Sequence, residues 1–354
     1  MVNVMIFWSL LGPGVAPTMT AARAVDDPVA QVVALGARTR QDRSGETIGV
    51  DLSRAWLTDE DLPKLARLAR LESIDLSYTK ITDQGLEHLA PLKHVRSLNL
   101  HHAESITDQG IAHLKHWVNL ESLNLRGTKV TSTLFEHIAR MSRLRFLDVS
   151  HSRVNDDGFE LLEGLEQLES LSSGGNKMSG AALSSLKLLP ALRALNVSGQ
   201  QRTDSGLWSV NVTDFNVGQI AQLQRLELLD VAGTSITDRG VAQLAALKNL
   251  RVLNLGGTRV TGKGIEALAD LPNLRHLKLW KARGIDDAAI PALLRLGHLE
   301  VLELPETGVT AGGLERLSAG KGLKRLYLGG VDLTPDQAER LRASLPGCLV
   351  SWWK

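Results

Sequence analysis

The chain has 354 residues and a formal charge of +1, with 40 Lys and Arg against 39 Asp and Glu. This balance gives no electrostatic footprint for nucleic acid or for an anionic membrane surface, so neither is an expected partner. The single cysteine, Cys348, excludes an intramolecular disulfide and a paired-cysteine metal or redox site. No cofactor is expected, and no segment is long and apolar enough for a transmembrane helix.

Residues 1–24 have the features of a signal peptide. The apolar run Val4–Leu11 precedes Ala22-Arg23-Ala24, a small-x-small pattern typical of a cleavage site. The basic segment that normally opens a signal peptide is missing, because the first basic residue is Arg23. We expect export to the periplasm or the extracellular space. The alternatives are a misplaced start, with Met19 available, or a disordered tail, and either would fit a cytoplasmic protein.

A short helix is predicted next. Asp26-Asp27-Pro28 supplies an N-cap and a first-turn proline ahead of Val29, Val32 and Val33. The rest of residues 25–46 is mostly polar. This segment is predicted to close the first open end of the repeat array that follows.

One phrase recurs over residues 47–345, and Leu226–Leu250 is its cleanest copy. Three apolar residues of that copy alternate as in a strand, and three later ones step by three as in a helix. Most copies are 24 residues long, two are 25 and one is 34. The copies start at Thr47, Leu71, Val95, Leu120, Leu144, Leu168, Leu192, Leu226, Leu250, Leu274, Leu299 and Leu323.

The twelfth position of the phrase marks a helix start, because its residue types cap helix N-termini. These residues are Thr58, Thr82, Thr107, Thr131, Asn155, Ser179, Thr213, Thr237, Thr261, Asp286, Thr310 and Thr334. The next residue is often Asp, which favours the positive end of a helix dipole. Each unit is therefore predicted to be a strand, a short loop and a helix of about two to three turns.

One unit is too short to bury its own apolar side chains, so the units must stack. Adjacent strands lie ~4.8 Å apart and packed helices ~8–10 Å apart, so the stack should curve with the sheet inside. The pattern LxxLxLxxTxITDxGLxxLxxLxx resembles the leucine-rich repeat family, and within it the bacterial class of 24-residue units. The resemblance implies an α/β solenoid, a right-handed horseshoe of about 12 repeats that binds a partner, usually a protein, on its concave parallel sheet. Its helices would form the convex face.

The end of the chain is predicted to close the solenoid. Residues 346–354 should form a short strand, and Trp352 and Trp353 should cover the exposed end of the core.

In such a horseshoe the third, fifth, seventh and eighth positions of each unit face the concave surface. The fifth position is mostly polar, and Asp51 and Asp75 should lie ~4.8 Å apart on adjacent strands. Paired carboxylates serve glycoside hydrolysis, so a glycosidase is one hypothesis. A solvated polar column is favoured, because the sequence shows no cleft or partner base, and the chain is not expected to be an enzyme.

The seventh and eighth positions are small in the later units and large in the earlier ones. The large residues are candidate partner contacts: Tyr78, His101, His102, Arg126 and His151, together with Trp280 and Lys281 in the tenth unit. A shared zinc is not expected, because His102 and His151 should lie two strands apart, roughly 10 Å. His101 and His102 should diverge as successive strand residues. An exposed Trp280 would serve as a contact anchor.

The largest irregularity is the insertion QQRTDSGLWS at Gln200–Ser209, between the strand and the helix of the seventh unit. Its TDSG imitates a helix start, so an extra helical turn or a partial repeat is expected. Arg202, Asp204 and Trp208 offer charge and an aromatic anchor. Two interpretations of the insertion stay open: a tolerated surface insertion, or part of a binding site. Ser173 occupies a core position of the preceding unit, and such a departure beside an insertion favours a functional loop over sequence decay.

The leading hypothesis is an exported bacterial binding protein, monomeric and non-catalytic. It would engage a macromolecule, a protein above all, through the concave sheet and the loop at residues 200–209. An intracellular adaptor or substrate-recognition module is the alternative, and a carboxylate-based glycosidase is the third.

Overall fold

The computed structural model describes residues 27–203, 206–320 and 322–353, with the backbone alone at residues 201–203. The predicted signal peptide at residues 1–24 and the candidate Asp204 lie outside the described residues. Within the described part of the chain, no helix has the length and apolar character needed to cross a membrane.

The strands follow the repeat. They are β1 (Arg38–Gln41), β2 (Thr47–Asp51), β3 (Ser73–Asp75), β4 (Ser97–Asn99), β5 (Ser122–Asn124), β6 (Phe146–Asp148), β7 (Ser170–Ser172), β8 (Ala194–Asn196), β9 (Gln200–Thr203), β10 (Gly206–Ser209), β11 (Leu228–Asp230), β12 (Val252–Asn254), β13 (His276–Lys278), β14 (Val301–Glu303), β15 (Arg325–Gly329) and β16 (Leu349–Trp353). β1 to β8 and β11 to β16 form one sheet in that order, and β9 and β10 form a separate pair.

Equivalent residues of successive units lie side by side in the sheet. Leu229 of β11 pairs with Leu195 of β8 and with Leu253 of β12, all in parallel register. The three side chains are fully buried and belong to one continuous core that runs through the whole stack. The predicted α/β solenoid, with a strand and a helical segment in each unit, is confirmed.

The helices are shorter than predicted. They are α1 (Pro28–Ala34), α2 (Leu62–Ala66), α3 (Asp83–Leu89), α4 (Asp108–His113), α5 (Leu134–Ile138), α6 (Val217–Ile220), α7 (Asp238–Leu244), α8 (Gly262–Ala267), α9 (Ile290–Arg295), α10 (Ala311–Leu317) and α11 (Pro335–Ser344). Turns of 3-10 helix lie at Asp59–Asp61, Phe159–Gly164, Ala181–Leu188, Leu268–Asp270 and Asp287–Ala289. Most units thus hold about one to two helical turns, since a strand and two connecting loops share the same 24 residues.

The twelfth-position caps are present as predicted. Side chains that accept a hydrogen bond from the first helical turn are Thr82, Thr107, Thr237, Thr261, Asp286, Thr310 and Thr334. In the fifth and sixth units a left-handed glycine follows the cap residue, Gly158 with φ 76° and Gly180 with φ 90°. The chain then continues as 3-10 helix rather than α-helix, which the sequence pattern did not predict.

The aspartate that follows the cap residue links six of the units to the next one. Asp214 of the seventh unit accepts hydrogen bonds from the backbone N–H of Thr237 (2.8 Å) and from its hydroxyl (2.6 Å). A Cβ on Gly240 would lie 2.5 Å from Asp214 Oδ1, so only glycine leaves room for the carboxylate. The same bonds join Asp59 to Thr82, Asp83 to Thr107, Asp108 to Thr131, Asp238 to Thr261 and Asp287 to Thr310.

The two ends of the sheet are covered differently. At the start, β1 pairs antiparallel with β2, and α1 buries Val32. At the other end, β16 adds a parallel strand beside β15. Trp352 packs against the core and its Nε1 donates to the carbonyl of Val331 at 3.0 Å. Trp353 lies across Gly329, whose added Cβ would be 2.3 Å from the indole.

Candidate binding surface on the concave face

Fifth-position Asp and Asn side chains hold the turn that follows the strand in eight units. Asp75 Oδ1 accepts from the N–H (2.9 Å) and the hydroxyl (2.6 Å) of Ser77, and its Oδ2 accepts from Asn99 at 2.8 Å. The bond to the seventh-position N–H recurs at Asp51, Asn99, Asn124, Asp148, Asn196, Asp230 and Asn254. The polar column predicted from the sequence is present and mostly half-exposed. Its side chains also bond to the backbone, as in other Asx turns.

The Asp51 and Asp75 carboxylates have structural partners. Asp51 pairs with Arg38 at 2.6 Å and accepts from the N–H of Ser53 at 2.9 Å. Burial disfavours its ionised form, but the hydrogen bonds from Ser53 and the charge of Arg38 outweigh burial and lower the pKa of Asp51. A glycosidase acid needs the opposite shift. The geometry of this pair does not support the glycosidase hypothesis.

The eighth residue of each unit has a left-handed backbone conformation. In six units it is glycine: Gly127, Gly175, Gly199, Gly233, Gly257 and Gly330. In the other six it carries a side chain, with φ between 53° and 63°: Arg54, Tyr78, His102, His151, Lys281 and Glu306. Such a residue costs about 1 kcal/mol or more relative to glycine. The glycines of the later units were the sequence signal for this turn, and four predicted contact residues occupy it.

The left-handed turn directs eighth-position side chains over the next unit. The Arg54 guanidinium lies 5.0 Å from the centre of the Tyr78 ring, which stacks on His102 at 5.2 Å. The His102 ring lies 2.7 Å from where Gly127 would carry a Cβ. His101 is part of the same cluster, with its ring centre 4.6 Å from that of His102. The expectation that the two histidines diverge is wrong, because the turn ends the alternation of the strand.

The surroundings of His101 and His151 favour the neutral form of each ring. Burial, and then the charges of His102 and Arg126, lower the pKa of His101, and burial and Arg126 lower that of His151. His101 Nε2 is buried and has no hydrogen-bond partner among the described residues. No group of three His, Cys, Asp or Glu side chains in the described ranges is arranged to hold a metal ion. His101 and His151 thus offer aromatic ring surface in which the neutral form is favoured.

Trp280 is half-buried rather than exposed. Its indole lies across the preceding unit, 2.3 Å from where Gly256 would carry a Cβ. Lys281 is exposed, and its Nζ lies 3.6 Å from a carboxylate oxygen of Glu306. Trp280 thus presents one ring face to solvent and the other to the backbone of the neighbouring unit.

Between His151 and Trp280 the edge of the concave face is lined by glycines. His151 Nε2 lies 3.6 Å from the Cβ position of Gly199. A Cβ on Gly233 would meet no atom within 4 Å. This stretch, which we call the glycine shelf, exposes backbone between two aromatic rings.

The insertion at residues 200–209 is a β-hairpin that rises beside this shelf. β9 and β10 pair antiparallel, with Gln200 opposite Ser209. The Gln200 amide donates to the carbonyl of Gly233 at 3.4 Å, and Val210 forms a bridge with Met178. The expected helical turn or partial repeat is wrong. Residues 200–203 pair with residues 206–209 instead of starting a helix.

Three exposed apolar residues were not predicted as contact residues from the sequence. Leu207 in β10 is 60% exposed, whereas Trp208 beside it is half-buried. Arg202 lies in β9 by its backbone. Trp56 is 89% exposed beneath the Lys80 ammonium, and Phe215 is 97% exposed. Both follow strands by a few residues, at loop positions where no other unit has an aromatic side chain, which was the available signal.

Known proteins share this architecture. A structure of an internalin (inlF) from Listeria monocytogenes superposes with a TM-score of 0.59 at 20% identity, covering 92% of this chain and 93% of that chain. A family model described as Leucine Rich repeat matches residues 70–90 and 246–269. This chain has the leucine-rich repeat fold. No curated protein matches it.

Two further structures with this leucine-rich repeat fold come from eukaryotes. A chain of the yeast Rad7 and Elc1 complex has a TM-score of 0.56 at 18% identity, with 83% of this chain and 81% of that chain covered. The ectodomain of the Arabidopsis thaliana receptor kinase GASSHO1/SCHENGEN3, in complex with CASPARIAN STRIP INTEGRITY FACTOR 2, has a TM-score of 0.53 at 18% identity, with 89% and 42% covered. Leucine-rich repeat proteins are typically protein-interaction modules without catalytic activity.

Proposed function

We propose that this leucine-rich repeat protein is a non-catalytic binding protein whose partner is another protein. The partner would lie on the glycine shelf of the concave sheet and against the hairpin at residues 200–209. The observation that carries the proposal is the hairpin itself. It interrupts an otherwise continuous repeat, rises next to the shelf and exposes Leu207.

The chemistry of the shelf supports a protein ligand. Glycines at Gly199 and Gly233 let another backbone approach closely. The rings of His151 and Trp280 bound the shelf, and a half-buried indole is a frequent anchor in protein interfaces. The yeast and plant structures of the same fold are both described in complexes with other proteins. We also propose export, which the sequence of residues 1–24 supports and which N-terminal sequencing of the natural protein tests.

Site-specific photo-crosslinking tests the binding surface. A photo-crosslinking amino acid at Leu207, and separately at Trp280, should capture one and the same protein. Val118 is the matched control, because it is apolar, 49% exposed and placed in the loop between α4 and β5. Equal capture of that protein from Val118, or none from either of the other two positions, would refute the proposal.

A further inference from the structure

A polar groove crosses the concave face near its N-terminal end, away from the glycine shelf. It has a volume of about 640 Å³ and spans β2 to β6, with β1 as one wall. Third-position hydroxyls of Ser73, Ser97 and Ser122 line the floor on three successive strands, and Phe146 occupies the same position on the next. None of the partner contacts predicted from the sequence lies in this groove.

Much of the hydrogen-bonding capacity of the groove is unused. Within the described chain, the hydroxyls of Ser97 and Ser122 and the Nδ2 of Asn124 make no hydrogen bond to protein. All three side chains are half-buried in the floor of the groove. They therefore present hydroxyl and amide groups, both donors and acceptors, to whatever lies in it.

The charges that line the groove cancel. Arg38 and Arg40 are offset by Asp51 and Asp75, and Arg38 and Asp51 are directly paired. Arg40 donates to the hydroxyl of Ser73 at 3.2 Å. A strongly acidic or basic ligand would gain little here, so charge complementarity favours an uncharged, hydroxyl-rich one.

The spacing of the side chains on the groove floor distinguishes between two classes of uncharged polymer, an extended peptide and a linear oligosaccharide. The third-position groups repeat once per strand, ~4.8 Å apart. An extended peptide running along the solenoid would repeat its side chains on one face at roughly 6.6 Å, twice the rise per residue. A linear chain of pyranose rings has a repeat close to the strand spacing. Its hydroxyls would meet the Ser and Asn side chains, and the C–H face of a ring would pack on Phe146.

We propose that this groove is a second binding site, for a neutral linear oligosaccharide. Successive sugar rings would lie across β3 to β6, and the terminal ring would stack on Phe146. The site is independent of the protein-binding surface proposed above, because the two share no residue.

Calorimetric titration of the full chain with cellohexaose, chitohexaose and mannohexaose tests this site. At least one of the three should bind with Kd below about 1 mM. Phe146→Ser, which restores the serine of the neighbouring strands, should weaken that binding at least about fivefold. Ser122→Trp should abolish it by filling the groove. Val252→Ser is the matched control, because Val252 holds the third position of β12 outside the groove. The affinity of this variant for the hexasaccharide should be unchanged.

Several results would overturn the proposal. They are the absence of binding by all three hexasaccharides, unchanged affinity in Phe146→Ser, or an equal loss in Val252→Ser. Displacement of the bound sugar by an uncharged Ser- and Asn-rich peptide with higher affinity would assign the groove to a protein ligand instead. If Ser122→Trp fails to fold, Phe146→Ser alone decides. Crosslinking at Leu207 is scored separately, so either proposal can fail without the other.

Discussion

Replacing Gly240 with alanine tests the link between successive units. The added Cβ would lie 2.5 Å from Asp214 Oδ1 and 3.2 Å from two side-chain carbons of Ile236. The oxygen contact is well inside van der Waals distance. The Asp214 carboxylate must therefore move away from Thr237, whose N–H and hydroxyl both donate hydrogen bonds to that carboxylate.

The size of the effect follows from two opposing contributions. A hydrogen bond to a charged acceptor contributes about 1.5–3 kcal/mol to stability, and the shift would break one and weaken the other. Alanine in a helix is favoured over glycine by about 0.5–1 kcal/mol. We expect Gly240→Ala to lower the free energy of unfolding by about 1–2 kcal/mol.

Urea unfolding followed by circular dichroism measures this effect as a shift of the midpoint. Gly312→Ala is the matched control. Gly312 lies in α10, and its added Cβ would come no closer than 3.7 Å to another atom, Thr310 Oγ1. It should raise the midpoint slightly.

A double-mutant cycle identifies the cause. In an Asp214→Ala background the carboxylate is gone, so Gly240→Ala should lose its cost. If Gly240→Ala stabilises the protein as Gly312→Ala does, or costs the same with and without Asp214, then the carboxylate does not explain the glycine.

Three other predictions concern acid, the left-handed turn and the hairpin. Burial opposes ionisation of Asp214, yet its hydrogen bonds lower its pKa. The contribution of ionised Asp214 to stability is thus complete above about pH 4 and is lost as pH falls further. On acidification the urea midpoint of unfolding should therefore drop less in Asp214→Asn than in the unsubstituted protein. Gly233→Ala should lower the free energy of unfolding by about 1 kcal/mol, because alanine is strained in the left-handed backbone conformation. Glu306→Gly should raise it by a similar amount, and thermal unfolding measures both changes. Excising Gln200–Ser209 joins Gly199 to the buried Val210 in a unit of standard length. The melting temperature should then change by no more than a few degrees, and a collapse of cooperative unfolding would refute this.

The core and the helix caps could be predicted from sequence because both are local patterns. Leu229 and Thr237 hold roles fixed by their position within one unit. The role of Asp214 could not be predicted in full, because its main partner belongs to the next unit. The dipole of its own helix was the only partner visible in the sequence.

The sequence predicted which residue types line the concave surface, but not how their side chains are arranged. The eighth-position residues were recognised as unusual, but the alternation rule for strands gave the wrong direction for His102, whose backbone has left the strand. The hairpin was missed because the TDSG letters imitate a helix start, whereas residues 200–203 pair with residues 206–209. The groove was missed because serines at the third position look unremarkable one unit at a time.

In most units, hydrogen bonds from the fifth, twelfth or thirteenth position hold the backbone in place. The third, seventh and eighth positions are therefore free to vary without loss of fold. Glycine is the least strained choice at the eighth position, and six units use it. The other six each bear about 1 kcal/mol of strain. The side chains of Arg54, Tyr78 and His102 recover part of this by stacking on one another in successive units, and those of Lys281 and Glu306 form an exposed ion pair, which contributes little. Uncompensated strain on an exposed face is expected where a protein binds a partner, which is the role we propose for this face.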